Sequence, residues 1–352
     1  MNRLFAAVSA VALTAAGARA ATLSADPASL VAQVKAARPG DIVRLAPGAY
    51  GAIGLNNIAK AAPGVTIQGA PGAVLTSLEA TGSSFLIFNG LEVAGTANAA
   101  AVYFGAGSHD IVFRNGKVHQ ADNATLQGSA LIMHAAANVT VDRNEFSWLS
   151  SGVGVQASTN AVVSNNSFHD IGADGIDITD ATNLKVIGNT ATDFHPGPTT
   201  HPDFIQWWET GTVASPCGMD VEDNRFDRGA GKPIQGVFGE AGCDVTIRGN
   251  ILRGAMFNGI GLSRTQGAVI ADNFVDGYPD MVSRIIVRGG CADVSITNNA
   301  AQVVANYMPA GQPPCRDVKI AGNTTLTAAA PGDDRPLDRW LSRRRQEPDP
   351  GQ

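Results

Sequence analysis

The sequence has little charge and no concentration of basic residues: 25 Lys and Arg stand against 31 Asp and Glu in 352 residues. No basic tract could follow a nucleic-acid backbone, so we expect no nucleic-acid partner. The apolar run at residues 4–16 is too short to cross a bilayer as a helix. We therefore expect no transmembrane segment.

The short apolar run instead belongs to a targeting signal. A basic residue, Arg3, precedes the run and Ala18-Arg19-Ala20 follows it, which is typical of a secretory signal peptide cleaved after Ala20. Residues 1–20 are therefore expected to be removed. The mature protein is expected to be a monomer that is secreted or periplasmic in a Gram-negative bacterium.

Regularly spaced leucines and repeated helical segments are also missing, which argues against leucine-rich repeats, yet the chain does repeat. Short motifs rich in Val and Ile end in asparagine at intervals of 22, 23, 35, 26, 23, 26 and 24 residues. These asparagines are Asn144, Asn166, Asn189, Asn224, Asn250, Asn273, Asn299 and Asn323. Such short β-rich units predict an all-β parallel β-helix, in which each coil packs on the next. Asparagine suits the turns because it tolerates the left-handed conformation and because stacked amides can hydrogen-bond between coils.

The two ends of the predicted β-helix differ in their expected structure. Residues 30–37 have helical spacing and are expected to form a helix that caps the N-terminal end of the core. The β-helix domain is expected to span residues 21–327. Beyond it, residues 328–352 are charged and rich in proline, so we expect a mostly disordered tail with one short helix around residues 337–345.

Cysteine is scarce, and its four positions are informative. Cys217 and Cys243 each lie 7 residues before a repeat asparagine, whereas Cys291 and Cys315 each lie 8 residues before one. Each pair thus has one register on successive coils, about 4.8 Å apart, which a disulfide can span. In an oxidising compartment we expect Cys217–Cys243 and Cys291–Cys315 disulfides, with buried free thiols as the alternative.

The 35-residue interval contains the stretch richest in polar and aromatic groups. Alternation along its last strand points Ile205 and Trp207 toward the core and Gln206 and Trp208 toward solvent. Aligned by their distance to the repeat asparagine, the outward residues of neighbouring coils form columns. The predicted columns contain Asp177, Gln206 and, within one position, Gln235, flanked by His134, Gln156, Trp208 and Arg288, with Asp174 and Asp203 as a second stacked pair. A groove with a few polar groups of this kind suits a polysaccharide.

The same interval includes an insertion, ATDFHPGPTTHP, at residues 191–202. It adds His195 and His201, and loops on a rigid scaffold are where binding groups concentrate. Histidine beside a carboxylate can act as a general acid or base near neutral pH, so His201 is a candidate catalytic residue and His195 a candidate binding residue. Trp208 and Trp148 are candidates for stacking on sugar rings.

Several stretches carry a resemblance to a known family. The segment LVAQVKAARPGDIVRLAPGAY at residues 30–50, the coil SFLIFNGLEV at residues 84–93 and the asparagine-terminated repeats resemble right-handed parallel β-helix proteins of the pectin-lyase-like superfamily. Within that superfamily, the first segment is similar to bacterial polysaccharide lyases of the alginate lyase and chondroitinase B type. The resemblance covers about residues 22–327. It implies a right-handed β-helix that handles polysaccharide on its side.

The function expected first is that of a lyase or C5-epimerase on an acidic, uronate-containing polysaccharide. β-Elimination needs a cation for the carboxylate, a base for the C5 proton and an acid for the leaving oxygen. His201 is a candidate base. Candidate cations on the coils that follow are Lys232, Arg264, Arg284 and Arg288. The resemblance to chondroitinase B implies a Lys base and an Arg on the next coil, to which Lys232 and either Arg253 or Arg264 would correspond.

Hydrolysis is the first alternative. Asp174 and Asp203 are expected about 5 Å apart on adjacent coils, and closely paired acids separate into a proton donor and a base. The segment DGIDI, which begins at Asp174, resembles the Asn-Thr-Asp-Gly segment of polygalacturonase-type hydrolases, and PDFIQ stands where those enzymes carry Asp-Asp. The chain departs from this pattern at Ala173 and Pro202, and no Gly-His-Gly motif follows.

A non-catalytic β-helix that binds a glycan or an envelope surface is the second alternative. The clustering of His, Asp, Gln and Trp on one coil favours the enzyme, with Asp177 as a further catalytic candidate. No cofactor is predicted firmly. A Ca²⁺ ion at Asp174, Asp177 or Asp203 is an open option, because hard carboxylate oxygens suit calcium, although no calcium-loop motif is evident.

Overall fold

The chain folds as a parallel β-helix, as predicted. The computed structural model describes residues 19–96, 98–122, 125–198, 201–211 and 215–344. The strand pairings are parallel, and each regular coil contributes one strand to each of three faces. The predicted signal peptide lies almost wholly outside the described residues.

The three faces are named A, B and C in the order in which each coil reaches them. Face A contains β1 (Thr22–Ala25), β2 (Ile42–Leu45), β4 (Val65–Gln68), β6 (Leu86–Asn89), β9 (His109–Arg114), β12 (Ala137–Asp142), β15 (Val162–Ser164), β18 (Thr182–Ile187), β21 (Cys217–Glu222), β28 (Ala292–Thr297) and β31 (Arg316–Ala321). Face B contains β7 (Glu92–Gly95), β10 (Lys117–Gln120), β13 (Glu145–Leu149), β16 (Ser167–Ile171), β19 (Thr190–Thr192), β22 (Arg225–Asp227), β24 (Ile251–Arg253), β26 (Phe274–Asp276), β29 (Ala300–Ala301) and β32 (Thr324–Thr325). Face C contains β8 (Ala100–Phe104), β11 (Ser129–His134), β14 (Ser151–Gln156), β17 (Ile176–Thr179), β20 (Asp203–Trp208), β27 (Ser283–Arg288) and β30 (Val303–Asn306). Four long strands turn a corner between faces: β3 (Gly48–Gly54), β5 (Ala73–Ala80), β23 (Gln235–Arg248) and β25 (Phe257–Ala271).

Apolar side chains from all three faces fill the interior of the β-helix. Ile205 and Trp207 have no exposed surface, whereas the neighbouring Trp208 is 40% exposed, so the strand alternation expected from the sequence is observed. Aromatic rings stack inside from coil to coil, with Phe146 and Phe168 5.1 Å apart between ring centroids. Burying one such side chain contributes roughly 1.5–3 kcal/mol, so the repeated stack makes a stable scaffold.

The repeat asparagines form a buried ladder at the corner between faces A and B. The side-chain amides of the first seven each donate to the Oδ1 atom of the asparagine one coil further along, at 2.9–3.0 Å, and also to a backbone carbonyl, whereas the last, Asn323, donates only to a carbonyl. The left-handed residue in this turn is the one before the ladder asparagine, such as Asn165 or Asp223, with φ of 54° and 52°. The conformational reason given for the asparagines was therefore wrong by one position. The hydrogen-bond reason holds, and the ladder continues unbroken from Asn189 to Asn224 past the insertion.

Helices lie at both ends of the described chain. α1 (Leu30–Ala36) buries Leu30 and Val34 at the N-terminal end of the core, as expected for a cap. α2 (Arg335–Arg344) packs Trp340 on Phe274 of face B, with ring centroids 5.6 Å apart. This helix lies where one short helix was expected in the tail, and its apolar side packs on the sheet. Among the described residues, no helix has the length and apolarity needed to span a bilayer.

The two predicted disulfides have different outcomes. Cys217 and Cys243 lie opposite each other on adjacent coils and form a disulfide, with a Cα–Cα distance of 4.5 Å. Cys291 and Cys315 are buried free thiols in this structure, which corrects the second prediction. The Cys291 sulfur lies 3.1 Å from the carbonyl oxygen of Arg288 and also contacts the Cys315 thiol, with which it forms no covalent bond.

Candidate active site

The strands of face C bring most of the predicted polar columns together. Asp177 lies opposite Gln206 on the next coil, and Gly154 lies opposite Asp177 on the coil before. A parallel column runs through His134, Gln156, Thr179 and Trp208. The columns follow the axis of the β-helix along face C, and we call the surface between them the face C groove.

Gln235 occupies a different column from the predicted one. Phe238 lies opposite Gln206, and Gln235 lies opposite Asp203. The register is set by Trp207, whose indole lies against Gly239 so closely that a Cβ atom there would overlap the ring. This contact shifts Gln235 by three positions relative to expectation and puts it beside the acidic pair.

The insertion separates its two histidines. His195 stays at the corner between faces B and C, where its backbone N–H donates to the carbonyl of Ile171 and its Nε2 atom lies 2.8 Å from Asp170. His201 comes at the far end of the insertion and lies over Asp203. The structure therefore brings His201 to the groove and does not bring His195 there, because the added residues lie between them.

Three aspartates and His201 form what we call the carboxylate cluster: Asp174, Asp177, Asp203 and His201. The backbone N–H of Asp203 donates to Asp174 Oδ1 at 2.8 Å, and Trp208 Nε1 donates to Asp177 at 3.0 Å. Asp203 has no exposed surface. Within the described chain its carboxylate accepts no hydrogen bond of ordinary geometry, and His201 Nδ1 lies 3.4 Å from its Oδ2.

The cluster shifts the pKa values of its members toward neutrality. Burial raises the pKa of Asp174 to about 7 and that of Asp203 to about 6, and burial also raises the pKa of Asp177. The contact with the Asp203 carboxylate, 3.4 Å from Nδ1, raises the pKa of His201 above that of a free imidazole. Groups of this kind exchange protons near neutral pH and are typical of sites that perform acid–base chemistry.

A chain of amides holds the imidazole of His201 in place. Gln235 Nε2 donates to His201 Nε2 at 2.7 Å, and Asn258 in turn donates to Gln235 Oε1. The neutral imidazole then carries its proton on Nδ1, directed at Asp203. The ring of Phe238 meets the imidazole edge-on, 6.3 Å between centroids. The sequence analysis missed Asn258 and Phe238, because only the observed register of β23 and β25 shows that they face the cluster.

The predicted cations lie in different places. Arg288 lies over the ring of Phe238, 5.4 Å from its centroid, and within the described chain it forms no ion pair. Arg264 pairs with Glu240 at 3.0 Å at the groove's edge, and Lys232 Nζ donates to the carbonyl of Pro196 at the start of the insertion. The structure therefore does not bring Lys232 or Arg264 to the carboxylate cluster.

The two remaining candidate arginines lie on different faces. Arg253 is buried on face B, where it pairs with Asp227 and Asp334. Arg284 lies opposite Asn258 in the column of Asp203, and its Nε donates to the carbonyl of Phe257. Only Arg284 and Arg288 of the candidate cations therefore stand on the groove side of face C near the cluster.

In this structure the described oxygens of the three aspartates are not arranged like the ligands of a calcium ion. Among the described residues up to Arg344, with their internal gaps, no group of three His, Cys, Asp or Glu is arranged to hold a metal ion. Asp174 and Asp177 accept hydrogen bonds from N–H donors instead. Asp203 is fully buried, so its oxygens do not reach a position where one ion could bind all three carboxylates. We derive no step through calcium.

The structure is a parallel β-helix with the carboxylate cluster on one face. The chain belongs to the right-handed β-helix family, whose model matches residues 51–199 and 100–275. This confirms the predicted handedness. The comparison with curated protein sequences found no match.

Solved structures show the same fold at low identity. One is a mannuronic acid specific polysaccharide family 6 lyase from human gut microbiota, with a TM-score of 0.52, 11% identity, and 93% of this chain and 100% of that chain covered. Another is the A-module of the Azotobacter vinelandii mannuronan C-5 epimerase AlgE6, with a TM-score of 0.54 and 15% identity, and 85% of this chain and 91% of that chain are covered. An alginate lyase from Paenibacillus sp. str. FPU-7 has a TM-score of 0.50 and 15% identity, and 86% of this chain and 99% of that chain are covered.

Proposed function

We propose that the protein is an exported enzyme that acts on an acidic, uronate-containing polysaccharide as a lyase or a C5-epimerase. The observation that carries the proposal is the pairing of His201 with the fully buried carboxylate of Asp203, beside a second acid, Asp174, whose pKa is raised to about 7. Both reactions need one group that removes a proton and another that supplies one near neutral pH, and this cluster offers both.

His201 is the proposed base. It removes the C5 proton of the uronate when the substrate replaces Gln235 at its Nε2 atom, and the imidazolium that results is stabilised by Asp203. Because Asp203 has no exposed surface, it cannot touch a sugar and is a positioning residue. In the lyase reaction the electrons of the C5–H bond form the C4=C5 double bond as the C4–O bond breaks.

Asp174 is the proposed acid, because its raised pKa leaves its carboxyl partly protonated near neutral pH. In a lyase its proton goes to the leaving oxygen, and in an epimerase a proton returns to C5 from the opposite side. Arg288, the unpaired guanidinium over Phe238, is the proposed partner of a uronate carboxylate in the groove. Trp208 is the proposed stacking platform beside Asp177.

Two observations from outside the cluster support parts of this proposal. The solved structures that share the fold include enzymes named for mannuronic acid, a uronic acid, and for mannuronan, its polymer, and this supports the substrate class. The Cys217–Cys243 disulfide supports an oxidising compartment and hence export. Peptide sequencing of the mature N-terminus tests the cleavage after Ala20.

Glycoside hydrolysis of the polygalacturonase type is the second candidate. It is favoured by the stacking of two acids, Asp174 and Asp203, on adjacent coils. Their strand spacing of about 4.8 Å is shorter than the carboxyl separation of inverting glycosidases, the class to which polygalacturonases belong, and this weighs against it. The burial of Asp203 also weighs against it, because a nucleophile or a base for water must reach the sugar or the water.

The experiment that tests the proposal is a panel of acidic polysaccharides with three readouts. Ultraviolet absorbance of an unsaturated uronide establishes the lyase. Deuterium incorporation at C5 without chain cleavage establishes the epimerase. Reducing ends that appear without the absorbance establish the hydrolase. If alginate, polygalacturonate, chondroitin and hyaluronan give none of these signals, the enzyme proposal fails and the non-catalytic binder takes its place.

A further inference from the structure

A second polar groove lies on face B, across the corner from the carboxylate cluster. Two neighbouring cavities of about 470 Å³ and 600 Å³ open along β10, β13 and β16, and both are lined by Lys117, Glu145 and His169. The first cavity is also lined by His119 and Trp148. These cavities adjoin along the strand direction and share three lining residues, so they make one groove that the proposed enzyme does not use.

Trp148 has an unusual backbone conformation in this groove. Its φ is +57°, in the left-handed region that a bulky side chain rarely adopts. The positions opposite it on the next two coils are Asp170 and Asp193, which also have positive φ and whose short side chains suit that conformation. A tryptophan kept where the repeat favours aspartate points to a function for the indole, since backbone strain of this kind concentrates at functional sites.

The indole is held beside a hydrogen-bonded row of polar groups. His195 lies against Trp148, with ring centroids 6.3 Å apart and planes 24° apart. Asp170 joins two imidazoles, since His195 Nε2 and His169 Nδ1 each lie 2.8 Å from its carboxylate oxygens. On the groove side, His169 Nε2 lies 3.5 Å from Glu145.

The row continues along the groove with alternating donors and acceptors. Lys117 Nζ lies 3.3 Å from Glu145, and His119 Nε2 lies 3.3 Å from Glu92 one coil earlier. Three carboxylates, Glu92, Asp122 and Glu145, and two cations, Lys117 and Arg143, line the cavities, so the groove has no cationic excess that would favour an anionic ligand. An ionic ligand would also have to break the Lys117–Glu145 and His119–Glu92 pairs. Hydroxyl groups, which both donate and accept, can bond to donors and acceptors side by side.

We propose that the face B groove binds an uncharged sugar chain, with one ring stacked on Trp148 and hydroxyl groups bonded by His119, Glu145 and His169. The groove from β7 to β16 spans three coil spacings, roughly 14 Å, which is long enough for a short oligosaccharide. Aromatic stacking with flanking polar groups is the combination that sugar rings need, because they have an apolar face and a polar rim. This site is independent of the acid–base cluster and of its reaction.

The test is affinity electrophoresis of the mature protein in native gels that contain galactomannan, xyloglucan, mixed-linkage β-glucan or dextran, with alginate as the acidic comparison. We expect at least one neutral polysaccharide to retard the protein. Trp148→Asp, which installs the residue of the next two coils, should weaken that binding about tenfold. Glu145→Gln is a second variant, which keeps the side-chain shape and should also weaken binding. The control is Trp208→Ala on face C, which should leave it unchanged.

The outcomes separate this proposal from the proposed enzyme. Thermal unfolding of Trp148→Asp at or above the temperature of the unmodified protein shows that the variant folds. The proposal is overturned if no neutral polysaccharide retards the protein, if both groove variants bind as well as the unmodified chain, or if Trp208→Ala alone abolishes the retardation. Retardation by alginate that depends only on Trp208 belongs to the face C groove, and if no neutral polysaccharide retards the protein beside it, face B has no ligand and the proposal is also overturned.

Discussion

Two stacks of short polar side chains run along this β-helix, and they have opposite properties. In the asparagine ladder, each amide has two donors and an acceptor, so every coil satisfies the next without charge. In the carboxylate cluster, Asp174 and Asp203 have only acceptors when ionised, and the second of them lies buried without an ordinary hydrogen bond. The chemistry of the side chain thus decides whether a buried stack stabilises the scaffold or stores reactive groups.

The largest expected effect is on activity and comes from a substitution in the carboxylate cluster. His201→Ala should lower the rate of uronide formation or C5 exchange roughly a thousandfold, the contribution typical of a positioned acid–base group. The thermal unfolding temperature should change little, because the imidazole is largely exposed. Initial rates on the polysaccharide identified by the panel provide the measurement.

The matched control for that prediction is His195→Ala. It removes the other histidine of the insertion, which bonds to Asp170 on the far side of the corner. Its rate should stay within about twofold of the unmodified enzyme. Equal losses in both variants would show that the insertion acts through its fold and that His201 is no acid–base group.

The next largest effect is on stability and tests the ladder. Asn224→Ala removes the acceptor of two buried donors, the backbone N–H and the Nδ2 of Asn189, each at 3.0 Å. Unpaired buried donors are costly, so the free energy of unfolding should fall by about 3 kcal/mol, while activity per folded molecule is kept. Urea unfolding followed by circular dichroism measures this.

Asn160→Gly is the control for the ladder prediction. Asn160 belongs to an exposed asparagine stack, in which it donates to Asn138 at 3.1 Å, and its φ of 54° suits glycine. Water can replace its hydrogen bonds, so the loss should stay below about 1 kcal/mol. If Asn224→Ala costs no more than this, the buried ladder is not a main source of stability.

Much of this comparison follows from the sequence, and the rest depends on contacts between distant residues. The asparagine intervals predict the coils, and strand alternation separates Trp207 from Trp208, because both depend on local periodicity. The position of Gln235 beside Asp203 does not follow, since it is set by the fit of Trp207 against a glycine on the next coil. The fold of the tail likewise depends on Phe274, because Trp340 packs on it from 66 residues further along the chain.

Asp203→Asn tests whether charge causes the difference between the two stacks, because it replaces one carboxylate of the cluster with a neutral amide like those of the ladder. The folded protein keeps the Asp203 proton up to about pH 6, whereas an unfolded chain releases it near the ordinary value of 3.8. The folded state binds more protons in that window, so stability falls as the pH rises through it. The variant should lose this dependence, worth up to about 3 kcal/mol, and should also lose activity because His201 loses its anionic partner.

Unfolding free energies at about pH 4 and about pH 7 provide the measurement for this variant, bracketing the two pKa values. The informative quantity is the difference between the two pH values, since it cancels any change in packing from the new amide. An unchanged difference would mean that Asp203 is ionised at little cost in the folded protein and that the contrast with the ladder is not electrostatic.

The smallest effect is expected at Trp208, which lies at the edge of the carboxylate cluster. Trp208→Phe keeps an aromatic ring for the sugar but removes the Nε1–H that donates to Asp177 at 3.0 Å. One such hydrogen bond contributes about 1 kcal/mol, so KM should rise by about fivefold with a smaller change in kcat. Trp148→Phe, on face B, should leave KM unchanged. If the two substitutions raise KM equally, the substrate crosses the corner between the faces, and the cluster and the face B groove are parts of one site.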